Sequence, residues 1–196
     1  AEAKKYFIER IRVKKPYTSG IIWWNMLDGW PQMSDAVVDY FFEKKLAYDY
    51  IKRAQQPVAL MMDEMNAWHY TLVGSNDTME DVCGTYRVYD VMSEKELCGG
   101  DFNIPKNANS TLSRIRMMYS DKAFLVIEWH IGDKTYYNHY LCGFPAFDLE
   151  EYKTWLAKFN PLIMIGTSAF VAFLQQGSAQ ISTNFNIDSA FPDMIV

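Results

Sequence analysis

Several common signals of function are absent from this chain of 196 residues, and each absence excludes a class of protein. Positive charge is scarce, because 19 Lys and Arg stand against 24 Asp and Glu and leave a net charge of −5. That balance disfavours a nucleic-acid polymer as a partner. Cysteine is rare too: Cys83, Cys98 and Cys142 show no CxxC spacing, and we expect buried free thiols. Localisation stays open between cytoplasm and export, although unpaired thiols lean slightly towards a reducing compartment.

Cofactor, metal and membrane motifs are also lacking. Gly99-Gly100 stands alone and predicts a turn, not a Gly-rich phosphate loop. The three histidines fall in different predicted strands without metal-ligand spacing, so we expect no metal and no cofactor. The uncharged stretch Pro161–Leu174 has fourteen residues. A bilayer span needs about twenty, so we expect no membrane association.

Aromatic side chains, in contrast, are abundant, with six Trp and thirteen Tyr. A chain with 49% hydrophobic residues is not disordered, and its length suffices for one or two domains with their own cores. Leu, Ile and Val usually fill cores, so the surplus of rings favours either surfaces for planar or sugar-like ligands or large sheet faces.

Residues 1–56 show an alternation of helix and strand. Residues 1–15 predict an amphipathic helix that ends before Pro16, with the basic run of Lys4 to Lys15 on its solvent face and Tyr6, Phe7 and Ile11 on its buried face. The continuous apolar run over 21–27 predicts a strand buried on both faces. A loop and a second helix over about 39–55 follow, as in a parallel α/β structure.

After Pro57 the pattern changes to short strands separated by turns. Six are predicted: Val58–Met62, Trp68–Val73, Thr85–Val91, Ser113–Met118, Phe124–His130 and Lys134–Leu141. Six strands without helical periodicity between them indicate an immunoglobulin-like antiparallel β-sandwich over 57–147. A terminal helix is predicted at 148–159, and 160–196 forms a tail with two charged residues, Asp188 and Asp193.

One segment carries a more specific pattern, GIIWWNMLDGWPQ at 20–32, followed by residues 34–40 and 44–48. It resembles the eighth strand and helix of the catalytic (β/α)8 barrel of family 2 glycoside hydrolases, closest to the β-mannosidase branch. In that branch strand 8 carries Trp-x-Leu-Asn-Asp-x-Trp-Pro, to which Trp24, Asp28, Trp30 and Pro31 correspond. Leu27 stands where the branch usually has Asn, which weakens the assignment to mannosidases more than that to the wider family.

The resemblance covers about residues 1–158, since Asn138–Leu141 and Phe144–Asp148 are similar to the C-terminal β-domain of the family. It implies a mixed α and β chain in two parts. Residues 1–56 would be helix 7, strand 8 and helix 8 of a TIM barrel, followed by the sandwich.

The resemblance also implies a place for substrate. Barrel active sites lie at the C-terminal ends of the strands, where Trp24, Asn25, Asp28 and Trp30 fall, and we expect these four residues to bind sugar. The apolar face of a pyranose stacks on an indole, and its hydroxyls need polar partners such as Asn25 and Asp28. Strand alternation requires one of Trp23 and Trp24 to point into the barrel wall.

The carboxylates for glycoside hydrolysis are missing. A retaining enzyme needs two, about 5 Å apart, and in the family they end strands 4 and 7, which would precede Ala1. Asp63-Glu64 and Glu150-Glu151 are more simply solvated charges. We therefore expect no catalytic residue here: the chain is an inactive C-terminal fragment of a retaining, β-mannosidase-like hydrolase, whose partners are a carbohydrate substrate and the rest of its own polypeptide.

Two alternatives remain open. The chain could be a non-catalytic carbohydrate-binding or scaffolding sandwich with residues 1–56 as a helical brace, or an unrelated α+β protein. On the first interpretation, a lone barrel strand lacks neighbours, and we expect residues 1–56 either to collapse on the sandwich or to be mobile.

Overall fold

The computed structural model describes residues 1–143, Glu150 and Thr154. It consists mostly of β-structure preceded by two helices. The elements are α1 (Glu2–Val13), α2 (Leu46–Ala54), β1 (Val58–Met62), β2 (His69–Asn76), β3 (Val82–Asp90), β4 (Glu96–Ile104), β5 (Asn109–Arg116), β6 (Ala123–Ile131) and β7 (Lys134–Cys142). Within the described part, neither helix is long and apolar enough to cross a bilayer.

The strands form two antiparallel sheets that pack face to face. One has the order β1-β2-β5 and the other β4-β3-β6-β7. Their facing side chains form the main core, in which Leu60, Leu72, Val88 and Ile127 are fully buried. Trp129 is also buried there and stacks on Tyr136 with 5.6 Å between ring centroids. Of the sandwich predicted over 57–147, the described residues 57–143 therefore form two antiparallel sheets.

The predicted strands follow the observed ones closely where the hydrophobic signal is strong. Val58–Met62 is confirmed residue for residue, and every residue of this strand is buried. The strand β4 was not predicted, and the turn predicted at Gly99-Gly100 is wrong, since both glycines lie inside β4. Among the described strands it pairs only with β3, and it exposes much of its surface, so it lacks the apolar alternation that marks the other strands.

Helix α1 ends at Val13, close to the predicted boundary, but its predicted orientation is wrong. Lys5 and Glu9 are 2% and 4% exposed, whereas Tyr6 and Phe7 of the expected buried face are 46% and 53% exposed. Because the sandwich offers polar side chains and backbone carbonyls at this place, the helix buries the face that can pair with them. Residues 1–13 and 46–54 thus lie against the sandwich, the first of the two arrangements expected for 1–56.

The strand predicted over 21–27 is not formed. A single parallel bridge joins Leu27 to Val38, and Ile22 is fully exposed. A strand needs a neighbour to pair its backbone groups, and none lies beside this segment in the described chain. The barrel portion is therefore not evident here.

The second helix is shorter than predicted. Residues 39–45 form a turn in which the Asp39 carboxylate accepts hydrogen bonds from the backbone N–H groups of Phe41 and Glu43, both at 2.8 Å. Phe42 adopts a left-handed backbone with φ of 66°. Local side-chain acceptors of this kind compete with helical hydrogen bonds, so the helix starts only at Leu46.

The three cysteines are free, but only in part as expected. Cys142 is buried in the main core, and burial raises the pKa of its thiol to about 11. Cys98 is half-buried, and Cys83 is exposed, which corrects the expectation for that residue. The terminal helix predicted at 148–159 and the tail at 160–196 lie outside the described residues, apart from Glu150 and Thr154.

The hairpin between residues 66 and 69 is strained. Asn66 and His69 exchange backbone hydrogen bonds of 2.9 and 3.0 Å, and the two residues between them, Ala67 and Trp68, have φ of 47° and 64°. Such two-residue turns normally carry Asn-Gly or Gly-Gly, because a left-handed backbone costs other residues about 1–2 kcal/mol each.

Replacing Ala67 by glycine is therefore expected to raise the free energy of unfolding by about 0.5–1 kcal/mol. Urea unfolding at neutral pH measures the change. The matched control is Ala3→Gly in the exposed first turn of α1, which is expected to lower the free energy by less than the roughly 1 kcal/mol that glycine costs in a helix interior. A loss of stability for Ala67→Gly equal to that of the control would contradict the strain.

Candidate functional site

The predicted sugar-binding residues lie on a segment whose side chains alternate in direction. Ile21 and Trp23 pack against a small cluster formed by Ile8, Val37, Ile51 and Ala54. Ile22, Trp24 and Met26 point the other way and are 100%, 81% and 60% exposed. Of the two adjacent indoles, Trp23 is therefore the packed one, and Trp24 is available to a ligand or to further protein.

Trp30 extends from the loop that follows this segment and is 64% exposed. Met33, three residues further, is 67% exposed. Together with Ile22, Trp24 and Met26 they form what we call the outer apolar face. Several large apolar side chains exposed within one short segment favour a binding or interaction site, whereas single scattered ones do not.

Asp28 is buried, and its carboxylate organises the loop. Lys45 Nζ lies 2.9 Å from Oδ2, Gln32 donates to Oδ1 at 3.1 Å, and the Ser34 hydroxyl also donates to Oδ1. The hydrogen bond from Ser34, followed by those from Lys45 and Gln32, lowers the pKa of Asp28 although burial opposes it. Asp28 thus holds the loop that carries Trp30, and a direct contact with sugar stays a prediction.

Asn25 is half-buried, and its Nδ2 donates to the Leu27 carbonyl at 3.0 Å. The Trp24–Asn25 peptide bond is cis. A sugar hydroxyl could donate a hydrogen bond to the Oδ1 of the Asn25 amide. The role of Asn25 as a sugar contact therefore also stays a prediction.

A second polar cluster, which sequence reasoning did not assign, joins α1 to β7. Glu9 accepts hydrogen bonds from Asn138 Nδ2 at 2.8 Å and from the Tyr140 hydroxyl at 2.7 Å. Lys5 Nζ donates to the His139 carbonyl and lies 4.0 Å from the centroid of the Tyr140 ring. We call Lys5, Glu9, Asn138, His139 and Tyr140 the α1 cluster.

Burial governs the protonation of the α1 cluster. It lowers the pKa of Lys5 and raises that of Tyr140 well above its ordinary value. It also lowers the pKa of His139 to about 3, helped by the charge of Lys5, so the ring is neutral at pH 7. A cavity of about 350 Å³ lies beside the cluster, lined by Glu2, Ala3, Lys5, Tyr6, Glu9, Tyr140 and Leu141.

The sequence did carry a signal for this cluster. Lys5 and Glu9 are spaced four residues apart, so they share one helical face, and Asn138, His139 and Tyr140 form an unusually polar run inside a strand. Asn138 and Tyr140 also bond to the free edge of β1, through Leu60 O and Met62 N, both at 3.0 Å. The cluster therefore closes the seam between the two sheets.

The carboxylate pair Asp63-Glu64 is engaged in ion pairs. Arg10 contacts Asp63 and lies 3.2 Å from Glu64, whose Oε1 also accepts from the Tyr6 hydroxyl. Among the described residues no group of His, Cys, Asp and Glu has the arrangement of a metal site.

Comparison with known proteins gives a consistent result at the level of structure. No family model and no curated protein sequence matches the chain. It is similar to the β-D-mannosidase from Dictyoglomus thermophilum, with 26% identity and a TM-score of 0.63 over 72% of this chain. It shares its fold with the exo-chitosanase CsxA from Amycolatopsis orientalis, with 17% identity and a TM-score of 0.56 over 74% of this chain.

The chain spans 18% of the length of each of these two proteins. Both are family 2 glycoside hydrolases, and the match lies in their C-terminal region. This chain therefore resembles the C-terminal part of family 2 glycoside hydrolases, as the segment around Trp24 and Trp30 predicts.

Proposed function

We propose that this chain, as a counterpart of the C-terminal part of family 2 glycoside hydrolases, belongs to a longer retaining enzyme that hydrolyses β-glycosidic bonds. The observation that carries the proposal is the similarity to a β-mannosidase over 72% of this chain but only 18% of that protein. Residues 1–56 would contribute helix 7, strand 8 and helix 8 to a (β/α)8 barrel. Residues 57–147 would form an immunoglobulin-like sandwich beside it.

The outer apolar face supports the barrel assignment. Trp23 packs towards the two helices, while Ile22, Trp24 and Met26 are exposed on the opposite side. In a (β/α)8 barrel one side of each strand faces the outer helices and the other faces the barrel interior. The remainder of the polypeptide would cover Ile22 and Met26 and supply strands that pair with residues 21–27.

The strand order supports the sandwich assignment. A three-stranded sheet β1-β2-β5 facing a four-stranded sheet β4-β3-β6-β7 has the size and antiparallel, Greek-key character of immunoglobulin-like domains. Its role would be to brace the end of the barrel through α1, whose charged face is bound to β7.

Trp24 and Trp30 would line the substrate site. Each indole offers an apolar face to a pyranose ring, and the Asn25 amide and Asp28 loop would orient its hydroxyls. The two catalytic carboxylates, about 5–5.5 Å apart in a retaining enzyme, would come from the rest of the polypeptide. On this proposal the 196-residue chain alone does not hydrolyse glycosides.

A panel of aryl β-glycosides tests the proposal. The product of the complete coding sequence is expected to release aryl alcohol from at least one β-glycoside, and the 196-residue chain from none. In the complete product, Trp24→Ala is expected to lower kcat/KM about tenfold, the equivalent of one lost contact in the transition state. Met79→Ala, an equally exposed residue of the sandwich, serves as the control and should leave kcat/KM unchanged.

Two outcomes would contradict the proposal. One is a coding sequence that adds no barrel upstream of Ala1, which would favour a carbohydrate-binding or scaffolding module. The other is a complete product that hydrolyses none of the glycosides although it folds.

A further inference from the structure

Two exposed aromatic rings meet at one end of the sandwich. Trp68 is 55% exposed and Tyr119 is 59% exposed. Their ring centroids are 5.7 Å apart and their planes lie at 66°, so the two rings form the walls of an open corner. We call Trp68 and Tyr119 the aromatic corner.

The corner is held in a conformation that the turn itself does not favour. Trp68 has a left-handed backbone conformation in the 66–69 hairpin, which glycine would adopt without strain. Strained positions of this kind concentrate at functional sites, where surrounding contacts enforce them. The stability of the turn therefore does not explain why a bulky indole is present at this position.

Both loops that carry the corner are fixed by hydrogen bonds. Met117 donates its backbone N–H to the Trp68 carbonyl at 3.0 Å and thereby joins the two loops. Asp121 closes the second loop, since its Oδ2 accepts from the Met118 N–H at 2.8 Å and its own N–H donates to the Met118 carbonyl at 3.0 Å. The backbone that carries the two rings is therefore held in place, which lowers the entropic cost of binding a ligand there.

Two polar side chains lie on the strands that adjoin the corner. His69 follows Trp68 and stands opposite Arg116 in the pairing of β2 with β5. Residues directly opposite each other in an antiparallel pair project from the same face of the sheet. An aromatic surface with polar groups on the adjoining strands suits a ligand that is apolar on one face and rich in hydroxyls at its rim.

We propose that the aromatic corner binds a pyranose unit of a neutral β-linked oligosaccharide. The C–H face of the sugar stacks on the Trp68 indole, Tyr119 forms the side wall, and Arg116 donates to its hydroxyls. His69 Nδ1 donates to the Ala67 carbonyl at 2.7 Å, which leaves Nε2 to bond a further hydroxyl. The choice of an oligosaccharide over another ligand rests on the proposed function. A glycosidase that acts on a sugar chain gains affinity when a second site binds the same chain.

Titration of the 196-residue chain with β-1,4-linked mannohexaose tests the site. The six Trp indole N–H signals are followed by NMR, and Trp68→Phe assigns the signal of interest. That signal is expected to shift and saturate with a Kd on the order of 1 mM. Tyr119→Ala, which lies outside the strained turn, is expected to raise the Kd about tenfold. Tyr17→Ala removes an exposed tyrosine outside both proposed sugar sites, and as the control it should leave the Kd unchanged.

Three results would overturn the site: a Trp68 signal that does not move at about 10 mM oligosaccharide, a Kd that is unchanged in Tyr119→Ala, or shifts confined to Trp24 and Trp30. The proposed function is tested separately by hydrolysis of aryl glycosides. Binding at Trp68 without hydrolysis by the complete product would support the binding site and contradict the proposed enzyme activity. Hydrolysis without binding at Trp68 would contradict only the binding site.

Discussion

Replacing Glu9 by alanine is expected to lower the free energy of unfolding by about 4 kcal/mol. Glu9 is 4% exposed and accepts hydrogen bonds from Asn138 and Tyr140. Its charge favours the charged form of Lys5 more strongly than does that of Glu2, which lies 3.9 Å from Lys5 Nζ. Removing it leaves a buried ammonium without its main counter-charge and a tyrosine hydroxyl without its acceptor. A lone buried charge costs several times as much as the net gain from the intact pair.

Urea unfolding at pH 7 measures the loss, and two variants isolate its cause. Glu64→Ala removes an exposed carboxylate at the same interface, and its expected cost is below about 1 kcal/mol. Adding Lys5→Met to Glu9→Gln removes the orphaned cation, so the double variant is expected to be more stable than Glu9→Gln alone. A Glu9→Ala variant no less stable than Glu64→Ala would show that the α1 cluster does not hold the helix.

Acidification from pH 7 to pH 4 is expected to remove roughly 3 kcal/mol of stability through His139 alone. Burial, and then the charge of Lys5, lowers the pKa of His139 to about 3 in the folded chain, against 6.5 for the free side chain. Between these values the unfolded chain binds a proton that the folded chain does not. The contribution is therefore complete above about pH 6.5 and is lost progressively as the pH falls towards 3.

The variant His139→Gln should flatten this dependence, because its amide keeps hydrogen-bonding capacity but does not titrate. Unfolding free energies at pH 7 and pH 4 are compared with those of the parent chain. His130→Gln is the matched control, since the His130 side chain is 44% exposed, and it should retain the acid sensitivity of the parent. Equal pH dependence in His139→Gln and the parent would refute the assignment.

The sandwich was predictable because its strands carry strong local signals. The continuous apolar run Val58–Met62 and the alternation in Thr85–Val91 follow directly from burial on two faces or on one. The strand β4 could not be found in this way, since Gly99 and Gly100 interrupt it and its pairing depends on the backbone of β3. An edge strand is defined by its neighbour more than by its own side chains.

The candidate site was predictable only as a motif. The spacing of Trp24, Asp28 and Trp30 indicated the resemblance, and alternation indicated that one of Trp23 and Trp24 would be packed. It could not show which one, because that depends on where α1 and α2 lie. Nor could it show that the Asp28 carboxylate is engaged by Ser34, Gln32 and Lys45, whose positions come from the folded loop.

The sequence by itself determined the class of this protein: an aromatic-rich, acidic chain with a sandwich after Pro57 and a segment that resembles the end of a family 2 glycoside hydrolase barrel. The tertiary structure decided which faces are buried. Hydropathy predicts that Tyr6 and Phe7 lie on the buried face of α1. Lys5 and Glu9 lie there instead. Their charged groups find partners on β7, namely Asn138, His139 and Tyr140. Burial of a charge depends on what lies opposite, and no local pattern contains that information.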